Sequence, residues 1–172
     1  IEYIRSHPVI EDVVVSGGDI ARLKPAMIKK IGTALLDIEH VRRIRFATKA
    51  LSVQPMKFFS DENWFRTIVD VANYGRALFK NVYIHSHFNH PNEVTPLVEL
   101  AMRRLHAEGI YVRNQTVLLR GVNDDPGTLI KLNKKLGRVN IQPYYVYACD
   151  MVKSIEHFRV PVQEIQYLER EI

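Results

Sequence analysis

This 172-residue sequence has one cysteine, Cys149. No disulfide can form within it, which fits a reducing cytoplasm. No apolar run approaches the roughly 18 residues that a membrane-spanning helix needs, and no secretory signal opens the chain. Low-complexity segments and glycine- or proline-rich linkers are absent, which leaves one domain over residues 1–172. The GxGxxG and P-loop glycine patterns are absent too, so neither common phosphate-cradling loop is in play. A concentrated basic run is also lacking. The net charge is +5, but Lys29-Lys30, Arg42-Arg43, Arg103-Arg104 and Lys134-Lys135 are scattered doublets. A solvated surface explains them, and neither nucleic acid nor membrane is expected as a partner.

What the chain does have is a core and a rhythm. Hydrophobic residues make up 47% of it. Apolar runs alternate with helical stretches. Asp12 to Ser16 is rich in β-branched residues and reads as a buried strand. Pro25 to Ile38 carries apolar residues at helical spacing. Arg43 to Thr48 reads as a strand. Asp61 to Ala72 reads as a helix, with Ser60 as its N-cap. Asn81 to Ser86 reads as a strand and Pro91 to Glu108 as a helix ended by Gly109. Ile110 to Leu119 is a strand, and Asp125 to Leu136 a helix stopped by Gly137. Val139 to Tyr147 is a strand, and a last helix starts at Pro161. Strands thus recur about every 28 to 40 residues with helices between them, the βα repeat of a parallel sheet. An open doubly wound sheet and a partial barrel both fit that rhythm.

The polar residues cluster where strands end, and in a parallel α/β barrel those ends share one face. Ser16-Gly17-Gly18-Asp19 offers backbone N–H groups that a ligand can approach closely, or an ordinary turn. His85, His87 and His90 are dense enough to suggest a divalent metal, or packed histidines with one on a ligand. Asn114 and Gln115 place two amides mid-strand, where buried amides need partners that a ligand could supply. Asn123-Asp124-Asp125 reads as capping for the next helix. Tyr145 and Tyr147 share a strand face suited to a flat ligand. Asp150 stands where a carboxylate could hold a cation, and Cys149 has no paired base.

Taken in order, SGGD, HSHFNHPNE, NQTVLLRGVND, QPYYVYACD and EHFRVP resemble the lysine 2,3-aminomutase family of radical S-adenosylmethionine enzymes. The likeness covers essentially the whole chain. It implies an α/β fold: a TIM-like, partial (β/α)6 barrel of radical SAM type, here lacking its first and last portions. It implies an isomerase that moves an amino group between adjacent carbons, turning L-lysine into β-lysine. The cofactors would be a [4Fe–4S] cluster, S-adenosylmethionine and pyridoxal 5′-phosphate. A flavodoxin- or ferredoxin-type reductant is implied as a partner, and a homo-oligomer as the assembly.

Roles carry over by position. Ser16, Gly17, Gly18 and Asp19 match the strand end that meets the methionine part of S-adenosylmethionine. His87 and Gln115 match residues lining the same site. Tyr147 matches an aromatic residue beside pyridoxal phosphate, and Asp150 the carboxylate that holds the substrate ammonium. The CxxxCxxC cluster loop is absent and is expected before Ile1. The lysine that carries pyridoxal phosphate is expected after Ile172. This stretch alone is therefore expected to hold no catalytic residue and no metal, and to be inactive by itself. Thr48-Lys49-Ala50-Leu51 stands where many relatives carry an Arg-Thr-Pro type of sequence, so the contacts after that strand are open.

Three alternatives stand beside this. The substrate could be arginine, or the chain could supply β-lysine for the modification of elongation factor P. A different class is a metal-dependent barrel hydrolase using His85 and His87. The third is a non-catalytic relative that keeps only the fold.

Overall fold

Parallel strands cannot be joined by tight turns, so each must be followed by a crossover that returns the chain to the same edge. The computed structural model, which describes residues 1–172, follows that rule. Helix α1 (Glu2–Arg5) leads to strand β1 (Asp12–Val15), and α2 (Pro25–Leu36) returns to β2 (Arg43–Ala47). Helices α3 (Ala50–Val53), α4 (Lys57–Ser60) and α5 (Glu62–Ala77) precede β3 (Asn81–His87). Then come α6 (Pro96–Ala107), β4 (Tyr111–Val117), α7 (Pro126–Arg138), β5 (Ile141–Tyr147) and α8 (Val162–Glu171).

The strands pair in chain order, β1-β2-β3-β4-β5, and every pair is parallel. A doubly wound sheet reverses its order at a switch point, and this sheet never does. All crossovers therefore advance in one sense and stack the major helices on one face. That is the wall of an α/β barrel, and the doubly wound alternative falls. No helix is long and apolar enough to cross a membrane.

Alternation along the strands builds two faces. Ile44, Phe46, Val82, Ile84 and Val112 turn outward and join one core with residues of α2, α5, α6 and α7, including Ile28, Ile68, Leu105 and Leu136. Each such side chain contributes about 1.5–3 kcal/mol on leaving water. Helices α2 and α5 meet at Gly32, where a Cβ would come 2.5 Å from Val71 Cγ1. The opposite face is polar. Asp12 accepts from Arg43 Nη1 and Arg45 Nε, both at 3.0 Å. The Arg113 guanidinium lies 4.3 Å from the Tyr83 ring centre and 4.5 Å from that of Tyr144.

Four local expectations need correction. Strand β1 is not fully buried: Val14 is 44% exposed, because β1 has a sheet neighbour on one side only. The N-cap of α5 is Asp61, which accepts from Trp64 N, while Ser60 belongs to α4. The segment after Pro91 splits into a 3₁₀ turn, Pro91–Glu93, and α6, capped by Thr95 before Pro96. Gly137 does not stop α7, which runs to Arg138. The turn is made at Asn140, at φ +58°, since asparagine tolerates that region.

Lys80 ties this scaffold together. Its buried Nζ donates to Leu36 O at 2.7 Å and Ile38 O at 2.6 Å, closing the end of α2 onto the start of β3. Burial, aided by nearby Arg42, pushes the ammonium below its ordinary pKa. Lys80→Met leaves Leu36 O without a donor and Ile38 O with Val41 N alone, and should cost about 2 kcal/mol. Urea unfolding checks this, and an unchanged midpoint would show that water serves the carbonyls equally well.

Candidate active site

Residues just past the strand ends have no ladder partners for their N–H and C=O groups, and those groups must be satisfied some other way. Asp19 does this between β1 and β2. Its carboxylate accepts from Ala21 N at 2.9 Å, Lys49 N at 2.7 Å and the Thr48 hydroxyl. Asp19 thus spends three acceptor positions of its carboxylate on the scaffold.

Between β3 and β4 the bracket is Asn114. This fully buried amide donates to Phe88 O at 3.0 Å and Thr116 Oγ1 at 2.9 Å. Its oxygen accepts from Phe88 N at 2.8 Å and Ser86 Oγ at 3.1 Å. The expectation that a ligand satisfies both mid-strand amides is corrected for Asn114. It lies on the helix-facing side, whereas Gln115 faces the other way and reaches the cleft. Asn123 does not cap α7. It donates to Asn89 O and Val117 O and accepts from Leu119 N, pinning the loop after β4, while Asp125 caps α7.

These brackets frame a cleft of about 220 Å³ at the ends of β1 to β4. Ser16, Gly18, Asp19, Lys49, His87 and Gln115 line it, with His85, Thr48 and Ala47. Of the positions singled out in the sequence, Ser16, Gly18, Asp19, His87 and Gln115 do converge. Gly17 and Gly18 take φ values of +100° and +82°, and a Cβ at either would meet nothing within 4 Å. The glycines serve backbone conformation, not crowding. Neither N–H makes a backbone hydrogen bond.

The three histidines separate. His90 caps the 3₁₀ turn, its Nδ1 accepting from Asn92 N while Glu93 accepts from His90 N. No set of three His, Cys, Asp or Glu side chains is grouped as a metal would require. The metal-hydrolase reading therefore gains no support. His85 is buried beside Tyr144 and Tyr145, with ring centroids 5.9 and 6.0 Å away. Both its ring nitrogens lack hydrogen-bond partners, as does Nε2 of His87. Burial first, then Arg45 and Arg113, push the His85 pKa down. Burial and the Lys49 ammonium do the same to His87.

Tyr147 and Asp150 lie elsewhere. Tyr147 packs against Tyr145, at 5.5 Å between ring centres, but remains 43% exposed. Asp150 sits in the exposed segment after β5, outside the cleft.

Two residues at or beside the cleft were missed. Lys49 is the only cation lining the cleft, and its Nζ donates to His87 O at 3.3 Å and reaches Glu93 Oε2 at 3.5 Å. Glu93 accepts from Asn89 N and His90 N, both at 2.9 Å, so it holds the histidine loop as well. Nothing in the local pattern links residue 49 to residue 93. The signal in the sequence was the departure at Thr48-Lys49.

The adjacent amides allow a paired test. Asn114→Ala should cost about 3 kcal/mol, because it strands several buried partners. Gln115→Ala should change stability by less than about 0.5 kcal/mol. Equal losses in chemical denaturation would refute the division of roles. The histidines predict a pH slope. A folded-state pKa below the unfolded value means that unfolding takes up protons, so stability is lost as pH falls below about 6.5. Denaturation midpoints from pH 7 to 5 should fall more steeply in the parent than in His85→Phe. Identical slopes would show that His85 is not held neutral.

Comparison with known proteins places this geometry. No protein-family model matches the chain. It is 40% identical over 164 residues to a protein named putative L-lysine 2,3-aminomutase from Aquifex aeolicus, covering 95% of this chain and 42% of the relative. It is 35% identical to L-lysine 2,3-aminomutase from Clostridium subterminale, covering 95% of this chain and 37% of that one. It is 34% identical to glutamate 2,3-aminomutase from Clostridioides difficile, covering 95% and 36%. The chain therefore spans about two fifths of the length of the curated relatives it matches. A radical SAM methyltransferase from Sphaerobacter thermophilus shares the fold, with a TM-score of 0.57, 17% identity, and coverage of 94% of this chain and 47% of that one. Over the stretch it spans, this chain is similar to proteins named lysine 2,3-aminomutase, and it shares its fold with a radical SAM methyltransferase.

Proposed function

We propose that this chain forms the S-adenosylmethionine-binding wall of an aminomutase that interconverts L-lysine and β-lysine. The observation that carries the reading is the cleft itself. Ser16 and Gly18 from the turn after β1, His87 from β3 and Gln115 from β4 meet there.

The residues fit an amino-acid-bearing nucleoside. Gly17 and Gly18 present backbone N–H groups without backbone acceptors, and His87 presents a buried nitrogen without a partner. A buried polar atom left unpaired costs free energy that a bound ligand can return. At about 220 Å³ the cleft is smaller than closed ligand pockets, which run to about 300–1,000 Å³. It is one wall of a site. Cys149 alone cannot hold a four-iron cluster, which takes a set of cysteine thiolates, so no step through a cluster is assigned to residues 1–172. For pyridoxal phosphate the chain offers the exposed ring of Tyr147 as a flat face and nothing further.

Once bound, S-adenosylmethionine supplies the hydrogen-abstracting radical of this chemistry. The chain's own part is positional. Asn114 and Asn123 fix the loop that follows His87. Asp19 fixes the glycine turn against Lys49. His85 and His87 stay neutral, so they accept hydrogen bonds without repelling a sulfonium. Asp150 favours a substrate with a cationic side chain over glutamate. A one-electron donor of flavodoxin or ferredoxin type completes the reading.

The test uses the full-length protein, reconstituted anaerobically with iron and sulfide. S-Adenosylmethionine, pyridoxal phosphate and a reductant are added, with lysine, arginine or glutamate separately, and β-amino acids are read by mass spectrometry. β-Lysine is the expected product. A cluster-bearing protein that makes none from lysine overturns the substrate assignment. Asp150→Ala should raise the KM for lysine at least tenfold if the intact site encloses the ion pair, and an unchanged KM removes Asp150 from the site.

A further inference from the structure

The inner face of the sheet holds a cluster of charge that the cleft does not use. Asp12, Arg43, Arg45, Tyr83 and Arg113 lie on that face, and none of them lines the cleft. Asp12 is the carboxylate of the cluster, and both its oxygens are taken, by Arg43 Nη1 and Arg45 Nε. Arg113 makes ring contacts instead, to Tyr83 and Tyr144, and Arg43 lies 5.7 Å from the same Tyr83 ring centre. Three guanidiniums against one carboxylate leave a surplus of positive charge. Nε of Arg43 and Nε of Arg113 are buried without hydrogen-bond partners. His85, the cross-strand neighbour of Arg113, is buried with both ring nitrogens unpaired, so it does not serve the guanidinium.

A β-bulge builds this arrangement. The register of β4 on β5 shifts between Asn114 and Gln115, which pair with Pro143 and Tyr145 and leave Tyr144 as the extra residue. A bulge re-aims a side chain. Here the Tyr144 ring meets both Arg113 and His85. Its hydroxyl is held below the ordinary tyrosine pKa, first by the bond to Tyr145 and then by Arg113, Arg45 and Arg43. Rings against a guanidinium fix its plane and leave the donors at its edge free. A planar fork of that kind grips a carboxylate with two parallel hydrogen bonds.

We propose that Arg113, with Arg43 beside it, forms a carboxylate-binding site on the inner face of the sheet, separate from the cleft. The inference goes beyond the functional reading above and does not depend on it. Two sources supply that chemistry. One is a free carboxylate ion. The other is an acidic side chain of the same protein outside residues 1–172, since the chain spans about two fifths of the length of its relatives. In either case the ligand provides the counter-charge that Asp12 cannot, because its oxygens are already spent.

The experiment follows the thermal midpoint of the full-length, cluster-reconstituted protein and of two variants, Arg113→Met and Arg113→Lys. Each is measured in acetate and in chloride at equal ionic strength. If the site takes a free carboxylate, acetate at about 100 mM should raise the parent midpoint by about 2 °C or more and leave Arg113→Met unmoved. A rise shared by the parent and Arg113→Met places the acetate elsewhere and counts as no response. If an acidic side chain of the same protein fills the site, acetate has no effect on the parent. Arg113→Met then orphans a buried carboxylate and should melt several degrees below Arg113→Lys, which keeps the charge. Failure of Arg113→Met to fold where Arg113→Lys folds is the same result at its extreme. The inference is overturned if the parent does not respond to acetate and Arg113→Met melts at or above Arg113→Lys. Removing a half-buried charge that has no partner relieves its desolvation cost, so that order would mark a guanidinium held by the rings alone.

Discussion

Five parallel strands that end along one edge leave a row of amides and carbonyls with no sheet partner, and burying such groups unpaired costs about 1–3 kcal/mol each. Everything at this edge depends on how that demand is met. Short polar side chains meet it from the loops. Asp19 serves the turn between β1 and β2, Asn114 and Thr116 serve Phe88, and Asn89 and Asn123 serve Val117 and Leu119. Each bracket includes a bond to a distant residue, Asp19 to Lys49, Asn114 to Phe88, Asn89 to Val117 and Asn123 to Asn89, so each loop is fixed by its neighbour as well as by its own turn. The cleft is the space left over, and its shape is inherited from these hydrogen bonds.

That division explains why polar density misleads. The stretch from His85 to Glu93 is crowded with candidates, yet most are spent on structure. Ser86, Asn89, His90 and Glu93 all bond to backbone or to scaffold amides. What remains for a ligand is the smaller set whose polar atoms have no protein partner, with His87 the clearest case. The interior below adds a field. Arg43 and Arg45 share one carboxylate, Asp12, while Arg113 is stacked between Tyr83 and Tyr144 with no carboxylate of its own. This uncompensated positive charge helps keep His85 neutral and biases the cleft toward anionic groups.

The barrel wall was legible in the sequence because its signals are local. β-Branched runs, helical spacing and capping residues act within a few positions, and they located all five strands. The choice between barrel and doubly wound sheet was not legible in the local patterns, since it depends on which side each strand is added, but the order of the motifs pointed to the barrel that the sheet shows. The glycine turn, His87 and Gln115 were legible through the order of motifs. The role of Asn114 was not, because its partner Phe88 lies 26 residues away. Lys49 was hidden for the same reason: its contacts to His87 and Glu93 span 38 and 44 residues. Ser60 and Gly137 misled because each is a competent cap whose neighbour, Asp61 or Asn140, fits the backbone better.

The position of Asp150 bears on where substrate choice resides. An exposed carboxylate gains at most about 1 kcal/mol from an ammonium, since water screens the pair. That is too little to separate lysine from a neutral side chain by more than about fivefold. The cleft, by contrast, offers groups that would serve any α-amino acid. The chain matches the lysine-named and glutamate-named relatives to nearly the same degree over the same length, as expected if most of this stretch handles what the two reactions share. Burial is what would turn Asp150 from a weak surface charge into a selector, because desolvation raises both the attraction for a cation and the penalty for an anion.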